Sequence, residues 1–300
     1  MKLIDVHRHI DGSLRLETLH ALSKQLGIAI PPHKDIVFHP GMGLSDALQR
    51  FSFTLSLLQQ FDALHRVVTE ICEDAEKNNV VHLELRFAPQ LHHMGAMDEV
   101  VDVVLDALHP NSTLILCGLY GENPSTLEKL VDIAIPRKKV SGIDLAGGPL
   151  PHHQYEMHDY RSSFSRAKDH GIGRTVHAGE GRPPAEIAKA ILELHAQRIG
   201  HGTTLLDDPD VAHLIRKKNV CIEACVTSNV HTGVISDIQH HPIVRWIEQD
   251  IPVTICTDNT LLSQVNAPEE YEHVSKIEGM NPMYIEKTIE YGRSALFKRT

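Results

Sequence analysis

Apolar and polar positions follow two different periods along the chain, and together they predict strands that alternate with helices. Short runs rich in Val, Ile and Leu have the length of buried strands. Between them lie longer stretches with apolar residues three and four positions apart, which is typical of amphipathic helices. The predicted strands are 2–6, 80–87, 113–119, 140–146, 174–177, 198–201, 220–224 and 252–256. The predicted helices that follow the second and later strands are 97–108, 125–135, 155–170, 184–194, 210–217 and 242–249, with further helical stretches up to the C-terminus.

Eight strand–helix units with short connections predict one α/β domain over residues 1–300, a (β/α)8 TIM barrel with parallel strands. An open, doubly wound sheet is the alternative. That fold would place a Gly-rich nucleotide loop after an early strand, and the sequence has none there. The pattern therefore favours the barrel.

A helical insertion, residues 13–79, separates the first strand from the second. It contains three predicted helices, 14–27, 45–58 and 62–78. Ser13 is the expected N-cap of the first and Gly27 its end. We expect the insertion to cover the mouth of the barrel. Phe51 and Phe53 could help form an apolar lid there, although ordinary core aromatics would give the same pattern.

Composition narrows the classes of partner. Net charge is 29 minus 39, or −10, with no basic block, which argues against nucleic acid and anionic membranes. No apolar run approaches the length of a membrane helix. The N-terminal residues enter a strand directly, with no charged leader or apolar segment, so we expect no secretory signal. Five scattered cysteines argue against a disulfide framework. We therefore expect a cytoplasmic protein with a small-molecule partner; no pattern indicates an oligomeric state.

Histidine and acidic residues recur where predicted strands end. His7 and His9 close the first strand, and residues i and i+2 of a strand point the same way. The other strand ends carry His177 with Glu180, His201, and Asp258 with Asn259. Barrel closure would bring all of them to one mouth, the face at which barrel enzymes place their chemistry.

Three histidines and an aspartate from this set are suitable ligands for zinc or another borderline divalent ion. Each residue has a structural alternative. His177 could be a core histidine, Glu180 or Asp258 could cap a helix, and His201 could form a tight turn. The coincidence of all of them at the functional end of the barrel nevertheless predicts a metal site.

The paired histidines and two of the cysteines are not expected to belong to the metal site. Three histidine pairs lie in predicted loops and are expected to be solvated: His92-His93, His152-His153 and His240-His241. Cys221 and Cys225 are expected to be buried thiols. The chain has no C-x-x-C motif, which excludes the zinc arrangement of cytidine-type deaminases.

Seven motifs, in this order and across nearly the whole chain, resemble those of the adenosine deaminase family. They are His7-Arg8-His9-Ile10-Asp11-Gly12-Ser13, Glu84-Leu85-Arg86-Phe87-Ala88-Pro89, Asp144-Leu145-Ala146-Gly147, Thr175-Val176-His177-Ala178-Gly179-Glu180, Arg198-Ile199-Gly200-His201-Gly202, Thr227-Ser228-Asn229 and Thr257-Asp258-Asn259. The resemblance implies a zinc-dependent (β/α)8 hydrolase, a C–N hydrolase that acts on the cyclic amidine of an aminopurine.

By position, the resemblance implies that His7, His9, His177 and Asp258 hold one Zn²⁺ per chain. Zinc lowers the pKa of a bound water to roughly 7, so that hydroxide is available near neutral pH. His201 corresponds to the histidine that orients this water, and Asp258 accepts a hydrogen bond from it.

The third catalytic residue implied by the resemblance is Glu180, the proton donor to purine N1. Protonation of N1 makes C6 electrophilic, hydroxide adds there and ammonia leaves. A buried, water-poor setting would hold this carboxylic acid protonated.

Substrate contacts implied by the resemblance involve His9, Asp11, Gly147 and Asn259. Asp11 corresponds to a ribose contact at which adenine-type relatives carry Glu, which favours adenosine. Gly147 corresponds to a backbone N–H donor to purine N3. Asn259 departs from the second aspartate of most relatives, but an amide donates to purine N7 at any pH. Gly148-Pro149 replaces an acidic pair on the ribose side of the pocket.

The predicted activity is zinc-dependent hydrolysis of adenosine, and of 2′-deoxyadenosine, to inosine and ammonia. The same chemistry on adenine or on a modified adenine nucleoside is the first alternative. A metal-dependent amide or ester hydrolase is the second. Glu180 in its His-Ala-Gly-Glu setting argues against it, since a proton donor to purine N1 has no obvious use in ester cleavage. A degenerate barrel that only binds ligands is the third, and the intact set of candidate residues argues against it.

Overall fold

Eight parallel strands form the centre of the computed structural model, which describes residues 1–150 and 152–299. Pro151 and Thr300, which belong to the predicted domain 1–300, lie outside the described residues. The strands are β1 (Leu3–His9), β2 (Val80–Phe87), β3 (Ser112–Leu119), β4 (Val140–Ala146), β5 (Gly173–Ala178), β6 (Arg198–His201), β7 (Cys221–Ala224) and β8 (Val253–Ile255). Each pairs in parallel with the next one along the chain.

The residues after β8 close the ring against β1. Arg8 and Asp258 form a parallel bridge. The His9 backbone N–H donates to the Asp258 carbonyl and the Asp258 N–H to the His7 carbonyl, both at 2.8 Å. The architecture is a (β/α)8 barrel, and the prediction of a TIM barrel with eight strands is confirmed.

Thirteen α-helices surround the strands in the part of the chain that is described. They are α1 (Leu16–Leu26), α2 (His33–Ile36), α3 (Leu44–Leu57), α4 (Phe61–Lys77), α5 (Met97–Ala107), α6 (Pro124–Ala134), α7 (Arg161–Asp169), α8 (Ala185–Glu193), α9 (Pro209–Lys218), α10 (Val226–His231), α11 (Ile243–Glu248), α12 (Ala267–Ser275) and α13 (Pro282–Ser294). Within residues 1–150 and 152–299, no helix has both the length and the apolar character needed to cross a bilayer.

Two helix starts differ from the prediction. The helix predicted over 155–170 begins only at Arg161, because Met157–Tyr160 winds as a tighter 3-10 turn. α1 begins at Leu16 with Arg15 as N-cap, so the predicted Ser13 cap is wrong. The Ser13 hydroxyl instead accepts a hydrogen bond from the Thr260 N–H, at 3.2 Å, and ties the end of β1 to the segment after β8.

The interior of the barrel is crossed by a chain of buried ion pairs. Arg86 on β2 pairs with Asp144 on β4 at 2.8 Å and with Glu223 on β7 at 2.9 Å. Arg198 on β6 pairs with the other Glu223 oxygen at 2.7 Å and with Glu84 on β2. All five side chains are fully buried, so each charge depends on its partners for solvation.

The tail after α13 closes the end of the barrel at which the strands begin. The Phe297 ring lies under Arg198, with 3.6 Å between the guanidinium carbon and the ring centroid. The Phe297 N–H donates to Glu84 Oε1 at 3.1 Å. A Cβ on Gly173 would lie 2.1 Å from this ring, so only glycine permits the close approach. The catalytic residues must therefore be sought at the opposite end.

Candidate active site

The predicted ligands converge where the strands end. His7 and His9 lie on β1, His177 on β5, and Asp258 just beyond β8. His7 Nε2 and His9 Nε2 are 3.3 Å apart, and Asp258 Oδ1 is 3.4 Å from each. The His177 ring centroid is 4.7 Å from that of His7 and 5.4 Å from that of His9.

These separations fit a divalent metal. Tetrahedral bonds of about 2.0–2.1 Å place ligand atoms roughly 3.3–3.4 Å apart, as found for His7, His9 and Asp258. One nitrogen from each of His7, His9 and His177 lies within 4.8 Å of the others. Burial lowers the pKa of His9 and of His177, so both imidazoles are neutral at pH 7, the form that ligates metals. The buried cluster therefore fits a metal site.

Two buried carboxylates hold the ligand histidines from behind. His7 Nδ1 is 2.7 Å from Glu223 Oε2, and His177 Nδ1 is 3.0 Å from Asp144 Oδ2. Such partners orient a ligating ring and leave its other nitrogen for the metal. Arg86 binds both carboxylates. Sequence reasoning missed these roles, although isolated charges inside apolar strands were the available signal.

Cys225 also lies near the cluster, grouped with His7, His201 and Asp258. Burial raises the pKa of its thiol well above the usual range, whereas a thiolate is the ligating form. Cys225 is therefore a buried thiol, as predicted, and so is Cys221. All five cysteines are free and buried, so the prediction of no disulfide framework is confirmed.

His201 and Asp258 hold strained backbone conformations, with φ of +67° and +62°. Left-handed φ in a non-glycine residue costs about 1–3 kcal/mol and is concentrated at functional sites. The Asn229 amide donates to His201 Nδ1 at 3.0 Å and accepts from His241 Nε2 at 3.2 Å. Burial holds the pKa of His201 well below its ordinary value, so its imidazole is neutral.

This arrangement corrects one prediction. His241, expected in a solvated pair, is 3% exposed because it supports Asn229. His92 was also expected in solvent, but it is buried, and its Nδ1 donates to the Leu58 carbonyl at 2.9 Å. A pattern of paired histidines in loops does not reveal that such loops fold over the barrel.

Glu180 lies in the loop after β5, on the same side as the histidines. It is buried, and its Oε1 is 3.8 Å from His201 Nδ1. Burial raises the pKa of this carboxyl to about 7, and the Asp258 charge contributes in the same direction. A carboxylic acid of this kind is partly protonated at neutral pH and can donate a proton.

A small cavity joins these residues to helix α3. Its volume is about 50 Å³. The polar wall includes His9, His177, Glu180, His201, Ser228, Thr232, Asp258 and Asn259, and Gly147 also lines it. Leu44, Ala47, Leu48 and Phe51 of α3, together with Phe38, supply the apolar side. Phe51 stands edge-on to His9, with 6.2 Å between ring centroids, whereas Phe53 is not part of this wall.

Three of the four predicted substrate contacts line the cavity, and the fourth, Asp11, does not. His9, Gly147 and Asn259 line the cavity, and Gly147 has a φ of +74°. Asp11 is buried behind the wall and its Oδ1 has no hydrogen-bond partner among the described residues. Burial raises the pKa of Asp11 to about 7.

The two departures from the family pattern have local structural counterparts. A Cβ on Gly12 would lie 1.9 Å from Asn259 Oδ1, so glycine at position 12 allows the Asn259 amide to pack against the β1 loop. A Cβ on Gly148 would lie 2.9 Å from Arg182 Nη1. Arg182 thus occupies space next to the position at which relatives carry an acidic residue.

Comparison with known proteins agrees with this geometry. The family model for adenosine deaminase matches residues 3–289. An adenosine deaminase from Clostridium kluyveri is 33% identical over 99% of this chain and 90% of its own length. One from Serratia proteamaculans is 31% identical over 99% of this chain and 94% of its own length.

Solved structures share the fold. An adenine deaminase from Arthrobacter aurescens has a TM-score of 0.88 at 21% identity, over 99% of this chain and 94% of its own. The Arabidopsis N6-mAMP deaminase has a TM-score of 0.88 at 24% identity, over 99% and 93%. The family match over nearly the whole chain and the relatives above 30% identity lead to one conclusion: the chain belongs to the adenosine deaminase family.

Proposed function

We propose that this chain is a zinc-dependent hydrolase that converts adenosine, and also 2′-deoxyadenosine, to inosine and ammonia. One observation carries the proposal. A buried carboxyl with a pKa of about 7, Glu180, lines the same cavity as His9, His177 and Asp258, three of the four residues spaced as metal ligands. Ester cleavage would have no obvious use for an acid that protonates a ring nitrogen.

The metal ligands in this proposal are His7, His9, His177 and Asp258, which would hold one Zn²⁺. Zinc, when bound, supplies the Lewis acidity that makes water a nucleophile near neutral pH. Glu223 and Asp144 keep the rings of His7 and His177 in place through their Nδ1 atoms. The ligands are therefore preorganised by the barrel interior rather than by mobile loops.

Glu180 activates the purine. Its proton passes from the carboxyl oxygen to purine N1, which draws electron density from C6 and makes that carbon electrophilic. Water then adds at C6 and gives one proton to Asp258. That proton passes to the exocyclic nitrogen as its bond to C6 breaks, so that ammonia leaves, and the second proton of the water returns to Glu180. The burial of Glu180 serves this step because it keeps the acid protonated until N1 arrives.

His201 acts on the oxygen that adds to C6. Because the Asn229 amide donates to His201 Nδ1, the ring proton lies on Nε2. From there it can stabilise the negative charge that develops on this oxygen. Asp258, whose pKa the neighbouring His7, His9 and His201 hold well below the usual range despite burial, remains an acceptor for the water proton.

Substrate recognition follows from the remaining wall residues. The Gly147 N–H would donate to purine N3, and the Asn259 amide to N7 at any pH. Asp11, with its unpartnered oxygen, would accept from the ribose after a small rearrangement of the wall. His9 contributes its ring face beside the purine.

We also propose that the insertion 13–79 covers the active site and that α3 is its moving part. Cavities that hold small molecules usually measure about 300–1,000 Å³. The cavity here is about 50 Å³ and α3 supplies its apolar side, so α3 must move outward to admit a nucleoside. Five free, buried cysteines support the cytoplasmic location we propose for the enzyme.

The specific test is a comparison of kcat/KM for adenosine, 2′-deoxyadenosine, adenine and N6-methyl-AMP. Formation of the 6-oxopurine product is the readout, because N6-methyl-AMP would release methylamine rather than ammonia. We expect adenosine and 2′-deoxyadenosine to be used best. The structural neighbours named for adenine and N6-mAMP make those two compounds the relevant competitors. A kcat/KM for either competitor well above that for adenosine would make that competitor the better substrate, and no 6-oxopurine product from any of the four compounds would reject the deaminase.

A further inference from the structure

A cleft of about 940 Å³ opens at the end of the barrel opposite the active site. The residues at or just before the starts of four strands line it: Arg174 on β5, Gln197 before β6, Cys221 on β7 and Pro252 before β8. The catalytic residues lie at the other ends of these strands, so the cleft is separate from the deaminase site.

The lining of this cleft is strongly basic. Lys168, Arg174, Lys218 and Lys298 all face it, together with His195. No aspartate or glutamate is among the described residues that line it. The whole chain carries a net charge of −10, so this concentration of unbalanced positive charge is not a consequence of composition.

Arg174 is the centre of this basic surface and is only 8% exposed. Its Nε donates to the His195 carbonyl at 2.9 Å and its Nη1 to the Ile172 carbonyl at 2.6 Å. No carboxylate pairs with it, and its Nη2 has no hydrogen-bond partner within residues 1–150 and 152–299. Burial accordingly lowers the pKa of this guanidinium.

A guanidinium with no carboxylate partner keeps free N–H groups that can bind an anion. Two backbone carbonyls fix the plane of the Arg174 guanidinium, and a fixed fork of N–H donors is suited to phosphate oxygens. Three lysines line the same cleft. Phe297 and Tyr291 add an apolar wall on which a sugar or a base can rest.

We propose that this cleft is a binding site for a small molecule that carries a phosphate group. Arg174 would bind the phosphate through its free N–H groups, and Lys168, Lys218 and Lys298 would add charge around it. The volume is within the range of about 300–1,000 Å³ typical of small-molecule sites. The site is independent of the deaminase reaction proposed above.

The test is calorimetric titration of the zinc-loaded protein at constant ionic strength with three probes: inorganic phosphate, guanosine 5′-monophosphate and guanosine. We expect saturable binding of both phosphate-bearing probes. Arg174→Gln should weaken it about ten- to hundredfold, the loss expected for a hydrogen bond to a charged group. Arg245→Gln removes an exposed charge outside the cleft and is the matched control.

The double variant Lys218→Gln/Lys298→Gln keeps the test decisive if Arg174→Gln does not fold, because both lysines are exposed. We expect it to bind phosphate severalfold more weakly than the wild type, with unchanged deamination of adenosine. If guanosine 5′-monophosphate binds more tightly than phosphate, the ligand of the cleft is a nucleotide. If the two bind equally, the ligand is a free anion. Equal affinity of the wild type and both cleft variants for phosphate, or no saturable binding, would overturn the proposal.

Discussion

The carboxylate of Glu223 lies 2.7 Å from His7 Nδ1, on the side of the imidazole that faces away from the metal cluster. Its two oxygens also bind Arg86, Arg198 and Thr175. One buried carboxylate thus connects the ion pairs inside the barrel to His7, the first of the proposed metal ligands along the chain. The orientation of His7 is decided by charges on β2 and β6 as much as by its own strand.

Glu223→Gln should weaken zinc binding about 10- to 100-fold, the usual effect of losing a carboxylate behind a ligating histidine. The amide keeps the shape of the side chain. It removes the negative charge that strengthens the His7 imidazole as an electron-pair donor to zinc. Competition with a chromophoric chelator measures the Kd for zinc without reference to activity. Glu248→Gln, an exposed change on α11, is the control. An unchanged Kd for zinc in Glu223→Gln would contradict the role given to this carboxylate.

Glu180→Gln should retain one zinc per chain and lose about 10²–10⁴-fold in kcat, because the amide cannot supply the proton to N1. The wild-type rate should also fall as pH rises through about 7, where the Glu180 carboxyl loses its proton. Zinc analysis and a pH–rate profile measure the two effects. Near-wild-type turnover in the variant would remove Glu180 from the mechanism.

Phe51→Ala should raise KM for adenosine severalfold, since the ring covers His9 and helps to enclose the cavity. Phe53→Ala is the matched control, because Phe53 lies on the same helix but outside the cavity wall. Steady-state kinetics of both variants tests the lid directly. Equal KM values for the two variants would argue that α3 does not close over the substrate.

Stability should depend on pH through Glu270, a buried carboxyl whose pKa is raised to about 7 by burial. The folded state keeps this proton up to about pH 7, whereas the unfolded chain releases it near its ordinary pKa of 4.5. The stabilisation present below the unfolded pKa is therefore lost as pH rises through the folded pKa.

Glu270→Gln should remove that loss. Between pH 5 and pH 8, its free energy of unfolding should gain roughly 2–3 kcal/mol relative to the wild type. Urea denaturation at the two pH values measures this difference. Glu17→Gln, an exposed change on α1, should show no such gain. A constant difference between Glu270→Gln and wild type across this range would show that the carboxyl is not protonated in the folded protein.

Phe297→Ala should lower the free energy of unfolding by about 3–5 kcal/mol. The ring fills the end of the barrel under Arg198 and packs against Gly173, so its loss leaves a cavity beside a buried charge. Leu192→Ala, at a side chain that is 58% exposed, should change stability by less than about 0.5 kcal/mol. Comparable denaturation midpoints for the two variants would mean that the tail does not seal the barrel.

The fold was predictable from local patterns because each strand and helix is encoded in consecutive residues. Buried strands need uninterrupted apolar runs, and the helices need an apolar stripe, so eight repeats of this alternation define the barrel. The same logic placed His7, His9, His177 and Asp258 at one mouth, since parallel strands all end on the same side. The errors lay at helix starts such as Ser13, where a contact with a distant segment replaced a local cap.

Three features needed the tertiary structure, because they depend on which distant residues meet. The charges at 86, 144, 198 and 223 are isolated polar positions in the sequence, and only barrel closure joins them into the network behind the metal cluster. The burial that raises the pKa of Glu180 comes from the packed elements around its loop. The unpaired Arg174 in a basic cleft likewise emerges only when the starts of four strands and the C-terminal tail are brought together. The sequence by itself therefore determined the strands, the helices and the candidate metal ligands. The fold decided how deeply each of these side chains is buried and which charged groups it contacts, and burial and contacts set the pKa values on which the chemistry depends.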